Sequence, residues 1–168
     1  RSQCPECHQG FGDLDPRHFS FNSPMGGCRA CDGLGVIERG DRQVPCPSCG
    51  GERISPRARF VEVLGLTISR ATAMTITEAR EFWCKAEFPE NWKAVSEPIV
   101  SEIVTRLEAL ERLGVGYLTL DRSGETLSGG ESQRVRLAAQ MGSNLRGVCY
   151  VLDEPTIGLH PRDQVLLM

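Results

Sequence analysis

The sequence predicts an α/β fold with a separate cysteine-rich module ahead of it. Six of the eight cysteines lie in the first 49 residues as C-x-x-C pairs, residues 75–113 have helical periodicity, and residues 148–152 form an apolar run typical of a parallel strand buried on both faces. The 168 residues are 40% hydrophobic and 24% charged, with a net charge of -3. This globular composition excludes a disordered tail, a coiled coil and a generally basic nucleic-acid coat, although a local basic patch stays possible.

The cysteine pairs predict a metal site. They are Cys4 and Cys7, Cys28 and Cys31, and Cys46 and Cys49. Two intervening residues let both thiolates of a pair reach one ion, and a tetrahedral zinc site takes two such pairs. Glycines closely follow the second cysteine of every pair, and glycine tolerates the positive φ that such turns need. We therefore expect residues 1–60 to form a zinc-binding module appended to the α/β fold.

The pairing of these ligands is left open by the sequence, because six cysteines supply one and a half tetrahedral sites. One site would join the first and second pairs across a twenty-residue loop, and another would join the second and third pairs across fourteen residues. If both ions were bound, a histidine or a residue beyond this chain would have to complete the set. Disulfides or a redox pair are the alternative, which three repeated pairs and the absence of a secretory signal disfavour.

Two further features are expected to be structural. Phe19 and Phe21 alternate as in a short strand with one buried face. Cys84 lies in a helical pattern and Cys149 in the apolar run, and both are expected to be buried, inert thiols. No run of about eighteen apolar residues occurs, so we expect a soluble protein that does not span a membrane and, unless a leader lies outside this chain, is not secreted.

The middle of the chain predicts two helices. Thr75 and Glu78 have the spacing of a capping box, which would begin a helix that runs to about Ala86. A second helix is expected after Ser96, with Pro98 in its first turn. Its apolar positions recur at three- and four-residue steps until Gly114 ends it, and they are Ile99, Ile103, Leu107, Leu110 and Leu113. A short extended segment is expected at 116–120.

The segment 126–140 predicts an anion site. Ser128, Gly129 and Gly130 stand directly ahead of a strong helical pattern. Free N–H groups at a helix N-terminus bind anions, glycine lets a phosphate approach the backbone, and the serine adds a hydroxyl donor. Alone this pattern is weak evidence, because ordinary helix caps look similar.

The apolar run at 148–152 strengthens the prediction, because it ends in Asp153 and Glu154. Both carboxylates would then lie at the carboxyl end of a parallel strand, where α/β sheets place their ligands. Asp153 would hold Mg²⁺ through water, and Glu154 would polarise the water that attacks a γ-phosphate.

The chain carries no phosphate-cradling P-loop of its own. The pattern G-x-x-x-x-G-K-[ST] needs a lysine after glycine, whereas Lys85 and Lys93, the chain's two lysines, follow Cys84 and Trp92. Seventeen of the nineteen basic residues are arginines, a bias that suits phosphate binding and that genome composition explains equally well. A nucleotide bound here would need a P-loop from another segment.

Together these motifs resemble one protein family. The Leu-Ser-Gly-Gly-Glu signature, the Val-Cys-Tyr-Val-Leu-Asp-Glu-Pro strand and the segment 158–163 look like an ABC-type ATPase. With the Phe-Ser-Phe-Asn segment at 19–22 and the cysteine pairs, they resemble UvrA, the damage-recognition subunit of bacterial nucleotide excision repair. The likeness spans nearly the whole chain, and the segment 156–163 suits the first of that family's two ATPase halves.

The resemblance implies roles for particular residues. Ser128, Gly129 and Gly130 would touch the γ-phosphate of ATP held by another half's P-loop, Asp153 would serve Mg²⁺, and Glu154 would be the catalytic base. The other residues that it assigns to the nucleotide are Glu131, Gln133, His160 and Asp163. It also implies zinc in the cysteine module, a dimer, binding of damaged double-stranded DNA, UvrB as a partner and a cytoplasmic location.

The resemblance further implies a partial ABC-type ATPase. Residues 61–168 would run from the signature helical region through the Walker B strand, and the P-loop would precede residue 1. Well-known family members carry a long DNA-facing insertion between the pairs that match Cys28/Cys31 and Cys46/Cys49, where this chain has fourteen residues. We therefore expect its DNA contacts to differ.

Two other classes of protein stay open. Another ABC-type ATPase, such as a transporter motor, would share the signature but gives no reason for zinc. A non-enzymatic zinc module like that of DnaJ-type chaperones would share the C-x-x-C-x-G-x-G repeat but has no use for Asp153 and Glu154. In a repair protein, the arginines near the cysteines would offer phosphate contacts, although acidic residues are interleaved with them; they are Arg29, Arg39, Arg42, Arg53, Arg57 and Arg59.

Overall fold

The chain divides into two compact units, Arg1–Arg70 and Ala71–Met168. The computed structural model describes residues 12–141, which cover most of the first unit and the amino-terminal part of the second. Short strands and turns build the first unit and helices build the second, so the described residues form the mixed α/β structure that the sequence predicts. None of the described helices combines the length and apolarity that crossing a membrane requires.

The described part of the first unit begins with a 3-10 helix, Pro16–Phe19, and a turn follows at Phe21, so the segment 19–21 does not form the expected short strand. The Asp15 carboxylate accepts a hydrogen bond from the Arg17 backbone N–H at 2.8 Å, and Pro16 presets the helical φ at the first position. Because these local caps outweigh an alternation of only two phenylalanines, the strand prediction is wrong.

Two small hairpins follow in the first unit. Strands β1 (Val36–Arg39) and β2 (Arg42–Pro45) pair antiparallel, with Val36 opposite Pro45. Helix α1 (Pro56–Arg59) leads to a second antiparallel pair, β3 (Glu62–Val63) and β4 (Leu66–Thr67), and then to α2 (Ile68–Ala73). The buried core of this unit is mainly a cluster of cysteines, against which Ile37 packs.

After the end of α2, the described part of the second unit contains three α-helices, α3 (Ile76–Cys84), α4 (Glu90–Arg112) and α5 (Gly129–Met141), with α3 and α5 both packed on α4. The predicted capping box of α3 is confirmed, because Thr75 and Glu78 exchange hydrogen bonds of 2.9 and 3.2 Å. The helix ends at Cys84, two residues before the predicted end. Cys84 is exposed, so the prediction that it is buried is wrong.

Helix α4 begins seven residues earlier than predicted and contains Pro98 in its interior. A proline inside a helix removes one backbone hydrogen bond and clashes with the preceding turn, which is why the sequence placed the helix start there. Pro89 instead precedes the first turn, and the Trp92 N–H donates to its carbonyl at 2.8 Å. Ile99, predicted on the apolar face, is 55% exposed.

Gly114 ends α4 as predicted, and it does so in a Schellman arrangement. Its φ is 73°, its N–H donates to the Glu111 carbonyl, and the Val115 N–H donates to the Leu110 carbonyl. This left-handed conformation favours glycine and satisfies the last helical carbonyls. The following residues form turns rather than the predicted extended segment, and only Thr119 makes an isolated bridge, to Thr75.

Candidate functional site

Four cysteines of the first unit converge on one point. Their sulfur atoms all lie within 4.8 Å of one another, and the four are Cys28, Cys31, Cys46 and Cys49. Each is at most 6% exposed and carries a free thiol. The Cys31 and Cys49 sulfurs are 3.8 Å apart, far beyond the roughly 2.05 Å of a disulfide. A tetrahedron of sulfurs at the usual Zn–S distance of about 2.3 Å has an edge of about 3.8 Å, so the cluster fits a metal ion of that size.

The hairpin β1–β2 brings the two pairs together. It occupies the stretch between them, and the Cys46 N–H donates to the Gly35 carbonyl at 2.8 Å. Each pair then turns sharply: Gly33 and Gly50 have φ values of 75° and 65°. A Cβ at Gly33 would stand 2.1 Å from the Phe21 carbonyl oxygen, so a side chain does not fit there. The glycines after the cysteine pairs therefore allow these sharp turns, as the sequence suggested.

The pKa values of the clustered thiols indicate that four thiolates would need a cation between them. Burial raises the pKa of the Cys28 thiol, but hydrogen bonds from the Ala30 backbone and from the thiols of Cys31 and Cys49 outweigh it and lower the pKa to about 7. Burial also raises the pKa of Cys31, to about 12, despite the Gly35 N–H that points at its sulfur. One thiolate thus suppresses ionisation of its neighbour. Four thiolates can share this buried space only with a positive ion among them.

A further set of contacts holds the turns of the cysteine cluster in place. The Arg53 guanidinium stacks on the Phe21 ring, 3.6 Å from its centroid, and its Nε donates to the Gly33 carbonyl at 2.7 Å. The Cys28 N–H donates in turn to the Arg53 carbonyl at 2.8 Å. Arg53 thereby fixes the second cysteine pair, Cys28 and Cys31, from outside the sulfur cluster, and nothing in its sequence position signalled this role.

The structure therefore brings together the second and third cysteine pairs, one of the two arrangements that the sequence left open. Six other predicted site residues lie outside the described part of the chain. They are Cys4, Cys7, Asp153, Glu154, His160 and Asp163.

The second candidate site is the start of α5. The Ser128 N–H donates to Glu131 Oε2 at 2.7 Å, and the Glu131 N–H donates to Ser128 Oγ at 3.3 Å. The Ser128 hydroxyl also hydrogen-bonds to the Glu131 carboxylate and helps to lower the pKa of Glu131, so the serine side chain is engaged within this capping box. Gly129 and Gly130 are the first residues of the helix rather than a loop ahead of it. Apart from their chain neighbours and the helix's own backbone, no described atom lies within 4 Å of the place where a Cβ would stand. Within the described residues, the backbone here is open to an anion.

Glu131, one of the predicted nucleotide-binding residues, is turned into the protein. Its side chain accepts a hydrogen bond from the Tyr117 hydroxyl at 2.6 Å, and Arg122 lies 4.0 Å away. The residue is only 8% exposed, and the Tyr117 hydrogen bond chiefly lowers its pKa from 4.5 to about 2. Gln133, also predicted to bind nucleotide, is half-buried on the same helix. The S-x-x-E spacing could have revealed the capping role of Glu131, but not its contact with Tyr117.

Replacing Tyr117 with phenylalanine is expected to raise the pKa of Glu131 from about 2 toward 4.5. A carboxylate whose pKa is lowered on folding stabilises the protein above pH 4.5, and this contribution is lost as the pH falls toward 2. The wild-type chain should therefore be more stable than the variant at pH 7, with a difference that shrinks between pH 4.5 and 2. Thermal unfolding at both ends of this range measures it. Glu125→Gln, a change at an exposed neighbour, should not alter the profile, and an unchanged profile for Tyr117→Phe contradicts the network.

The sequence is similar to curated proteins named UvrABC system protein A. It is 50% identical to that of Neisseria meningitidis serogroup B over 123 residues, which are 73% of this chain and 13% of the relative. It is 50% identical to the Thermus thermophilus protein over 126 residues, 74% of this chain and 13% of the relative. The Staphylococcus aureus strain Mu50 protein is 47% identical over 272 residues, 95% of this chain and 29% of the relative. No family model matches the sequence.

The fold is similar to that of a solved structure, the crystal structure of UvrA2 from Deinococcus radiodurans. The TM-score is 0.71 at 35% identity, over 92% of this chain and 18% of the solved chain. The fold is thus the UvrA-like one, with a cysteine module ahead of a helical unit. By sequence and by structure, this chain belongs to the UvrA family, as the motifs predict. It spans less than a third of the length of the curated relatives named above.

The Staphylococcus aureus relative carries a long stretch that this chain lacks. Its 272 aligned residues correspond to 95% of a chain that has only 168 residues. Long insertions are tolerated at exposed turns, and the β1–β2 turn contains Gly40, beside which no atom lies within 4 Å of a built Cβ.

Proposed function

We propose that this chain is a segment of a UvrA-like DNA-damage-recognition ATPase of nucleotide excision repair. The observation that carries the proposal is the open start of α5, where no other part of the described structure crowds Gly129 and Gly130 and an anion can approach their backbone. In this proposal Ser128, Gly129 and Gly130 contact the γ-phosphate of ATP that the P-loop of another ATPase half holds. The relatives at 47–50% identity support this class over a transporter motor or a DnaJ-like module.

The rest of the nucleotide site would come from residues after α5. Asp153 would hold Mg²⁺ and Glu154 would act as the catalytic base, while His160 and Asp163 would complete the loop beside them. Glu131 would contribute by fixing Ser128 through the capping box, and Gln133 lies two residues further along the helix.

We propose further that one zinc ion binds to Cys28, Cys31, Cys46 and Cys49. Four thiolates in tetrahedral geometry favour zinc, which has no redox chemistry and closes a structural site. Its role here is to hold the two turns of the module together, and the Gly35 N–H at 3.2 Å from the Cys31 sulfur supplies a supporting hydrogen bond.

The proposed partners and location follow the family. They are damaged double-stranded DNA, a second copy of the protein, UvrB, and the cytoplasm. The stretch of the Staphylococcus aureus relative that has no counterpart here would belong at the β1–β2 turn, between the two cysteine pairs. The hairpin would replace it in this chain, so contacts with DNA from that insertion would be missing.

An ATPase measurement tests the proposal. The purified chain should hydrolyse no ATP, because a P-loop lysine is missing. A chimera in which this chain replaces the matching segment of the Staphylococcus aureus protein should hydrolyse ATP. Glu154→Gln in that chimera should lower kcat by about 100-fold or more. Glu125→Gln in the same chimera is the control and should leave kcat unchanged. Turnover by the isolated chain that Glu154→Gln abolishes, or full turnover by the Glu154→Gln chimera, would contradict the proposal.

A further inference from the structure

An open cavity of about 760 Å³ lies beside the cysteine cluster in the first unit. Every titratable side chain in its lining other than the cysteines is basic: His18, Arg29, Arg57 and Arg59. Among the residues between 12 and 141, no aspartate or glutamate lines it. The hydroxyls of Ser48 and Ser55 add neutral donors to the same wall. We call this cavity the arginine basin.

The fold separates charges that the sequence interleaves. Glu38 lies on strand β1, away from the arginine basin, and Asp41 lies at the turn of that hairpin. Asp32 lines a neighbouring cavity that Arg29 also borders, but the two form no ion pair in the described structure. The sequence suggested a face of balanced charge, whereas the folded module has one wall that is basic.

Of the three arginines, two make no ion pair or hydrogen bond with any described residue. Arg59 is held by Glu52 through two hydrogen bonds of 2.8 Å. Its pKa is raised, chiefly by this contact and to a lesser degree by the charges of Glu52, Cys49 and Cys28. The positive charge of Arg59 is therefore already balanced by the Glu52 carboxylate and the buried sulfurs. Arg29 and Arg57 are exposed and make no ion pair or hydrogen bond within the described residues.

We propose that Arg29 and Arg57 bind phosphates of a nucleic-acid backbone in the arginine basin. This proposal rests on the proposed DNA-repair function and assigns part of the DNA contact to the cysteine module itself. The basin is wide and open rather than a closed pocket around a single group, which suits a strand that passes across it. Arginine reaches phosphate oxygens with a rigid fork of donors, and such contacts position a protein on DNA without reading its sequence.

The salt dependence of duplex binding tests this proposal on the zinc-loaded full chain. Each phosphate that a side chain neutralises contributes about -0.9 to the slope of log K against log salt concentration. Replacing Arg29 and Arg57 together with glutamine should make the slope less negative by about 2 and weaken binding uniformly across sequences. The matched control is Arg39→Gln with Arg42→Gln on the β1–β2 hairpin, outside the basin, which should leave the slope unchanged.

The outcomes separate the site from the function. If the wild-type chain binds no duplex, the DNA function proposed for this segment fails together with the site. If duplex binds and only the hairpin control changes the slope, the site is overturned while the function stands. If ATP or inorganic phosphate displaces the duplex at submillimolar concentration, the basin takes a free phosphate group and the proposal is wrong. The zinc content of each variant shows whether it is folded. If the double variant loses zinc, the single Arg57→Gln variant tests the site instead, with an expected slope change of about 1.

Discussion

Replacing Cys46 with serine is expected to remove the bound zinc and to unfold the first unit. Cys46 is fully buried, and the cysteines themselves form the main buried cluster of this unit. A unit of this size buries too little apolar surface to be stable without a staple. Structural zinc contributes about 10–16 kcal/mol of apparent binding free energy in zinc-finger peptides, so losing one ligand removes most of what holds the turns together.

Zinc content per chain and the far-ultraviolet circular dichroism of the first unit's strands and turns measure the effect. Cys84→Ser is the matched control, because Cys84 is an exposed thiol at the end of α3 and should leave zinc content unchanged. Cys4→Ser tests the other pairing: with the cluster as the site, this variant keeps one zinc per chain. A Cys46→Ser chain that retains zinc, beside a Cys4→Ser chain that loses it, would contradict the cluster.

The metal chemistry could be predicted from the sequence, whereas the ligand set could not. The C-x-x-C spacing is a local property, since two residues determine whether two thiolates can reach one ion. Which pairs share an ion depends on the hairpin between Cys31 and Cys46, and the backbone contact of Gly35 with Cys46 fixes it. The short strands of that hairpin carry no strong alternation, so the sequence did not predict them.

The helices show the same division between local and tertiary information. The Thr75–Glu78 capping box and the glycine stop at Gly114 are local rules, and both are confirmed. The start of α4 was wrong because Pro98 has the preference of a first turn, and the structure instead accepts the proline inside the helix. The contact of Tyr117 with Glu131 joins a turn to a helix, so neither residue signals it alone.

Replacing Leu107 with alanine is expected to destabilise the second unit by about 2–5 kcal/mol. Leu107 is 4% exposed and packs at the centre of a cluster with Ile76, Ala79, Val115 and Leu118. Removing its branched end leaves a cavity that the neighbouring helices can fill only in part, because interiors are closely packed. Since the total stability of a domain is only about 5–15 kcal/mol, this loss is a large fraction of it.

Urea unfolding followed by Trp83 fluorescence measures the change, because Trp83 packs against this cluster whereas Trp92 is 60% exposed. A Trp92→Phe background isolates the signal of Trp83. Ile99→Ala is the matched control: Ile99 lies on the same helix at 55% exposure, and an exposed substitution should change stability by about 0.5 kcal/mol or less. Equal losses for Leu107→Ala and Ile99→Ala would mean that both side chains are buried, because only a buried side chain leaves a cavity when it is shortened. The apolar face predicted from periodicity, which includes Ile99, would then face the core, and the exposure of Ile99 in the structure would be wrong.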